Sequence, residues 1–268
     1  MKSLLSVLLV TTTAGVTALP AQQSEQRTRV TTVAETPAEG ATSRKAERRF
    51  RSRADSIEHE RAKRLAADAR GYRVVISLED RQLWVLYDQD TIRTATVAVA
   101  SGLTLDFAGR KWTFRTPRGR HAVIATRVDP TWTPPDWMYA EAASEHQLQL
   151  APLPPGKSVR LRDGRRLTVQ DSTVGVLDDA GVFEPLPLDE HIVFDSTLFI
   201  PPYGTRNRQV EGELGAYALD LGDGYLLHGT PYLETLGNAA THGCIRLGDD
   251  DIEWLYLHVG LGTPVYIY

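Results

Sequence analysis

From Tyr72 onward, apolar residues alternate with polar ones at a period of two: Val74, Ile76 and Leu78, then Leu83, Val85 and Tyr87, then Ile92 onward to Ala100. Successive side chains of an extended chain point to opposite faces, so this spacing predicts three strands with one buried face each. Glu79-Asp80-Arg81 and Asp88-Gln89-Asp90 are turn chemistry and make the three an antiparallel meander. A further strand is predicted over residues 120–128, after the turn Thr116-Pro117-Arg118-Gly119. Residues 159–162 and 165–169 flank Asp163-Gly164, a hairpin signal because Gly accepts the positive φ the turn needs. A second hairpin is expected around Asp178-Asp179-Ala180-Gly181.

Near the C-terminus the period becomes helical, with Ile252, Leu255, Tyr256 and Val259 on one face. Asp250 and Glu253 resemble a capping box, Gly260 can close the far end, and residues 263–268 read as a last strand. The expected fold is therefore mainly β, with one C-terminal helix packed on the sheet.

The N-terminal quarter follows a different pattern. Met1, Lys2, an apolar run over residues 4–10 and small residues up to Ala18 have the three zones of a secretory signal, assigned to residues 1–21. The run is broken by threonines 11 to 13 and is short for a bilayer span, so no stable membrane span is expected. Residues 22–43 carry almost no large apolar side chain, too little to offset the entropy of ordering, and read as a disordered tether. Residues 44–70 contain good helix formers, but Phe50, Ile57 and Leu65 are too sparse for a continuous stripe. A solvated basic helix is expected there, serving as a spacer or lying on an anionic polymer surface. The main domain then covers residues 71–268.

Charge sharpens this division. Residues 44–70 hold ten Lys and Arg against five Asp and Glu, whereas residues 71–268 hold seventeen against twenty-six. An acidic main domain argues against nucleic acid as a partner, since phosphate binding needs a basic face.

The chain has a single cysteine. In an oxidising compartment cysteines usually come in pairs, so a lone one is either a small buried residue or a chemically employed thiol. Its neighbours are Thr241-His242-Gly243-Cys244-Ile245-Arg246-Leu247, with His228-Gly229-Thr230 upstream. A thiol is nucleophilic as thiolate, and with a reference pKa near 8.5 it needs a base or a cation to ionise at neutral pH. A histidine supplies the base. Gly243 removes a side chain beside the sulfur and leaves backbone N–H groups available to a developing oxyanion. Taken one at a time, Cys244 reads as an inert core thiol, His228 as a satisfied strand-end histidine and Arg246 as a salt-bridge partner; the cluster favours acyl transfer.

His228 followed by Thr241-His242-Gly243-Cys244 resembles the signature of the L,D-transpeptidases with a YkuD-type catalytic domain. The likeness extends to the strands from Tyr72, to Thr116-Pro117-Arg118-Gly119, to Pro130-Thr131-Trp132-Thr133-Pro134-Pro135 and to Gly262-Thr263-Pro264-Val265. The resemblance implies a β-sandwich-like catalytic fold with no cofactor and no metal. It also implies that Cys244 attacks the third-residue carbonyl of a peptidoglycan stem tetrapeptide, expelling the terminal D-Ala and forming a thioester. An amine of a second stem then gives a 3–3 crosslink. His228 inherits the role of base, Gly229 that of the carbonyl that orients it, and His242, Gly243 and Cys244 the oxyanion-hole turn. Arg246, Thr241 and Trp132 are assigned to substrate binding. Family members also take up carbapenems, and the implied location is the periplasm or cell wall.

Two segments depart from the family pattern. Glu211-Gly212-Glu213-Leu214-Gly215 replaces an Asn-Pro-Leu-Gly-type segment, and residues 141–212 form an insertion. Its turn chemistry makes it hairpin material, expected as an ordered lid or as a sheet extension away from the site. Three rivals remain: carboxypeptidase or endopeptidase action on the same thioester, a zinc hydrolase using His228, His242 and Cys244, and an inactive wall-binding module. For zinc, one glycine between His242 and Cys244 is tight spacing.

Overall fold

A computed structural model of the chain describes residues 50–268. The signal assigned to residues 1–21 and the tether of residues 22–43 lie outside the described residues. Helix α1 (Arg53–Asp68) is followed by β1 (Tyr72–Ser77), β2 (Gln82–Tyr87), β3 (Asp90–Thr96), β4 (Val99–Ala100), β5 (Thr104–Phe107), β6 (Arg110–Thr113), β7 (Gly119–Ala122) and β8 (Ala125–Val128). Then come α2 (Asp136–Glu145), β9 (Gln149–Pro152), β10 (Val159–Arg160), β11 (Arg166–Gln170), β12 (Thr173–Leu177), β13 (Phe183–Pro185), β14 (Ile192–Phe194) and β15 (Thr197–Ile200). The last elements are β16 (Tyr217–Asp220), β17 (Leu226–His228), β18 (Ala239–Thr241), β19 (Ile245–Arg246), α3 (Asp249–His258) and β20 (Pro264–Ile267).

The period-two segments form the expected meander, β1 pairing antiparallel with β2 and β2 with β3. The C-terminal strand β20 lies parallel to β1 and completes a sheet ordered β3-β2-β1-β20-β7. A second sheet runs β19-β17-β16-β8. Val74, Ile76, Leu83 and Val85 from the first, Leu219, Leu227 and Ile245 from the second, and Ile252 and Leu255 of α3 share one core. Each such side chain, fully withdrawn from water, contributes about 1.5–3 kcal/mol. This core holds β17 and β19, the strands that carry the cysteine motif and the upstream histidine.

Several sequence expectations need correction. The single strand expected over residues 120–128 is two, β7 in the first sheet and β8 in the second. The switch falls between neighbours: the Val123 N–H donates to the Thr263 carbonyl, and the Ile124 N–H to the Asp220 carbonyl. Helix α3 has no capping box, because its N-cap is Gly248 without a side-chain cap bond; Asp249, Asp250 and Asp251 fill its first turn and complement the helix dipole. Its C-cap is Val259 in an extended conformation, not Gly260.

Helix α1 is docked rather than solvated. Its buried residues are His59, Ala62 and Ala66, and Ala66 packs with Val75 and Tyr266 on the outer face of the first sheet. Ile57 and Leu65, the apolar residues visible in the sequence, stay exposed. Alanines at i and i+4 bury as closely as larger side chains but leave no hydrophobic stripe to read.

Helix α2, which was not expected, leads into the inserted segment. It buries Tyr139, Ala140 and Ala143. Arg208, itself buried, donates to the Pro134 and Pro201 carbonyls at 3.0 and 2.9 Å and pairs with Asp136 at 2.7 Å. One guanidinium therefore ties the end of the insertion to the segment that leads into it. Both expected hairpins are present, β10 with β11 and β12 with β13, their turns using Gly164 at φ +96° and Gly181 at φ +82°. The insertion has its own core of Leu153, Leu161, Leu167, Val174, Val176, Ile192 and Phe199. A smaller cluster joins Tyr139 and Ala143 of α2 to Leu198 and Ile200 of β15. No helix among the described residues is long and apolar enough to cross a membrane.

Candidate active site

Strand β19 runs parallel to β17, with Ile245 opposite Leu227 and Arg246 opposite His228. Cys244 immediately precedes β19, so the pairing brings the thiol beside the strand that ends in the histidine. Cys244 is half-buried, and its Sγ lies 3.7 Å from the Gly224 carbonyl oxygen. Burial is the main influence on the thiol and pushes its pKa up; the Leu226 amide and the Arg246 charge oppose that shift.

His228 is buried. Its Nδ1 lies 2.6 Å from the Gly229 carbonyl oxygen, a distance that requires Nδ1 to donate, and this leaves Nε2 with its lone pair free. Burial pushes the ring pKa down to about 4, reinforced by the Arg246 charge, while the Gly229 and Leu214 backbone favour protonation. At neutral pH the site therefore holds a neutral thiol and a neutral imidazole.

The turn carrying Cys244 is braced by two threonines. Thr241 Oγ1 donates to the Cys244 carbonyl at 2.6 Å and accepts from the Gly243 N–H at 3.2 Å. Thr116 Oγ1 donates to the Gly243 carbonyl at 2.9 Å and accepts from the Ala100 N–H at 3.1 Å. The Gly243 amide, expected to be free, is thus engaged by Thr241. Among the described residues the His242 and Cys244 amides have no intramolecular partner, which leaves these two as candidate oxyanion donors. Gly243 sits at φ +156°, and a Cβ there would lie 3.0 Å from the Tyr225 ring.

His242 is held by a different set of neighbours. Its Nε2 faces the Glu141 carboxylate at 3.1 and 3.3 Å. Its ring stacks on Trp137 at 4.0 Å and meets the edge of Phe114 at 4.4 Å. Trp132 is joined to this group through Trp137, ring centroids 6.2 Å apart, and exchanges two backbone hydrogen bonds with Val210 at the far end of the insertion.

Arg246 is already engaged. Its Nη2 lies 3.6 Å from Glu213 Oε1, and its guanidinium stands over the Tyr232 ring. The Tyr232 hydroxyl donates to the other Glu213 oxygen at 3.1 Å. The next residues, Leu214 and Gly215, run against the histidine strand: a Cβ on Gly215 would sit 2.7 Å from Gly229 Cα. A cleft of about 640 Å³ opens beside this segment, lined by Asp129, Glu211, Thr230 and Asp249 among others. No group of three or more His, Cys, Asp or Glu among the described residues could hold a metal ion.

The structure thus gathers His228, Gly229, Thr241, His242, Gly243, Cys244 and Arg246 around β17 and β19, with Trp132 at the margin. Sequence reasoning missed Thr116 as a brace for the turn and Glu141 as a partner of His242. Thr116 stood in a motif already singled out, whereas nothing local marks Glu141.

The family model for the L,D-transpeptidase catalytic domain, YkuD, matches residues 71–267. The chain belongs to that family. It is 42% identical over 57 residues to the probable L,D-transpeptidase ErfK/SrfK of Salmonella typhimurium, covering 21% of this chain and 18% of that protein. It is 40% identical over 55 residues to the probable L,D-transpeptidase YbiS of Escherichia coli, covering 20% and 18%. These alignments span less than a fifth of the length of either relative. Similar solved structures include an L,D-transpeptidase from Xylanimonas cellulosilytica, with a TM-score of 0.39 at 17% identity, covering 75% of this chain and 62% of that one. Another is L,D-transpeptidase 3 from Mycobacterium tuberculosis in complex with a faropenem-derived adduct, with a TM-score of 0.38 at 16% identity, covering 74% and 60%.

Proposed function

We propose that this chain is a peptidoglycan L,D-transpeptidase with Cys244 as its nucleophile. The observation that carries the reading is the pairing of β17 with β19, which brings the turn bearing Cys244 beside the strand that ends in His228, a histidine whose Nδ1 is fixed on the Gly229 carbonyl. His228 Nε2 takes the thiol proton as Sγ attacks the third-residue carbonyl of a stem tetrapeptide. A resting pair of neutral groups fits proton transfer during attack, not a preformed thiolate. The oxyanion faces the His242 and Cys244 amides. Collapse of the tetrahedral adduct breaks the amide bond, and the proton held by His228 passes to the departing D-Ala amine. An amine of a second stem then attacks the thioester, gives up a proton to His228, and the thiol is regenerated as the crosslink forms.

Arg246 takes part in binding a stem carboxylate by exchanging Glu213 for it. The substrate places the reaction outside the cytoplasmic membrane, in the periplasm or wall. The test is incubation of the protein with defined muropeptides, followed by mass spectrometry of products and of intact protein. A 3–3 crosslinked dimer with a transient adduct on Cys244 is the expected result. Tripeptide release alone would make it a carboxypeptidase, and neither product nor adduct would sink the thiol mechanism.

A further inference from the structure

Trp137 and Glu141 lie one helical turn apart on α2, and both meet His242. The carboxylate accepts from Nε2 at 3.1 and 3.3 Å, the indole stacks at 4.0 Å with an interplanar angle of 16°, and Phe114 closes the edge at 82°. A ring held on three sides has one orientation. That orientation matters because His242 precedes Gly243 in a turn already tied down at the Gly243 and Cys244 carbonyls by Thr116 and Thr241. Of the turn's supports, the His242 ring is the one held by helix α2. Helix α2 is itself fixed by Tyr139 and Ala143 packing on Leu198 and Ile200, and by Asp136 on Arg208.

We propose that Glu141 is a positioning residue for acyl transfer: by holding His242 Nε2 it sets the direction of the His242 and Cys244 amides. The insertion at residues 141–212, through α2, thereby supplies part of the site. This rests on the thioester reading above. A part-exposed pair of this kind contributes little to folding stability, whereas small displacements of oxyanion donors reduce rate steeply.

The test is single-turnover acylation of the full chain by a carbapenem, followed by intact mass against time and concentration. Glu141→Ala should lower the maximal acylation rate about tenfold while leaving the half-saturating concentration within about twofold, at a nearly unchanged melting temperature. Glu141→Gln, which keeps an acceptor oxygen for Nε2–H, should restore the rate to within about twofold of the original. Should the alanine variant fail to fold, Glu141→Met, of similar length and without an oxygen, carries the same expectation. Wild-type rates in the alanine or methionine variant would overturn the proposal. So would a glutamine variant as slow as alanine, or an effect confined to the half-saturating concentration. A wild-type chain that takes no adduct would overturn the thioester reading and this proposal with it, and the wild-type mass alone distinguishes that case.

Discussion

Nδ1 of His228 stands 2.6 Å from the carbonyl oxygen of Gly229, so the histidine is oriented by the backbone of its own neighbour and needs no carboxylate. With the ring pKa pushed down to about 4, the rate of Cys244 acylation should rise as pH climbs through about 4. It should then hold level until the thiol ionises, above the usual thiol range because burial raises it. A rapid-quench pH profile checks this, and an acid limb centred above pH 6 would contradict the neutral-imidazole site.

The same depression has a stability consequence. Between about 4 and the ordinary value of 6.5 the unfolded chain binds a proton that the folded chain refuses, so stability falls as pH drops through that window. The loss is on the order of 3 kcal/mol by pH 4. His228→Gln should lose the part of the acid destabilisation that this ring contributes, measured by urea titrations at pH 7 and pH 4.5.

Cys244→Ala should fold with a melting temperature close to the original, since the sulfur's contact to the Gly224 carbonyl is long, at 3.7 Å. Acylation should fall by at least about a thousandfold because the covalent step is gone. Turnover of muropeptides by this variant, read by mass spectrometry, would refute the assignment.

Thr241→Val should uncouple the turn. It leaves the Gly243 amide and the Cys244 carbonyl without their shared partner, at a cost of about 1–3 kcal/mol. Acylation should drop roughly tenfold or more as the turn loosens. Thermal melts and carbapenem uptake rates measure the two effects separately.

Gly215→Ala is expected to be among the most damaging single substitutions near the site. The new Cβ would lie 2.7 Å from Gly229 Cα and 3.1 Å from the Thr230 amide nitrogen, at φ +67°. Neither segment can yield cheaply, because the obstacle is backbone. A loss of about 2 kcal/mol or more is expected, together with slower acylation, checked by denaturant unfolding.

Leu167→Ala tests whether the insertion's core stands apart from the main one. It is fully buried among Leu161, Val174 and Val176, so its loss should cost about 2–5 kcal/mol. Removing residues 157–185 altogether would be a poorer test, because it would uncover Leu153, Ile192 and Phe199. Unchanged acylation at 20 °C, with hydrogen exchange accelerated mainly over residues 149–200, is the expected signature.

Much of this protein could be read along the chain. The meander, both hairpins and α3 each rest on a local period or a turn residue, signals that depend on the alternation of side chains and on which residues tolerate positive φ. The cysteine motif and its upstream histidine were equally plain, since the chemistry needs those residue types close together. What the chain alone left open depends on contacts between distant segments. Helix α1 docks through His59, Ala62 and Ala66, small or polar residues whose burial becomes visible only against β20 and β7. The split of residues 120–128 into two strands follows from the Val123 and Ile124 amides donating to acceptors at different sheets, the carbonyls of Thr263 beside β20 and Asp220 in β16. Arg246 meets Glu213, and His242 meets Glu141 from a hundred residues upstream, pairings that no spacing encodes. The sequence by itself determined which residue types could do chemistry and the strands they stand on. Tertiary packing decided which neighbours hold them, because a hydrogen bond or ion pair requires proximity in space and nothing in local periodicity specifies it.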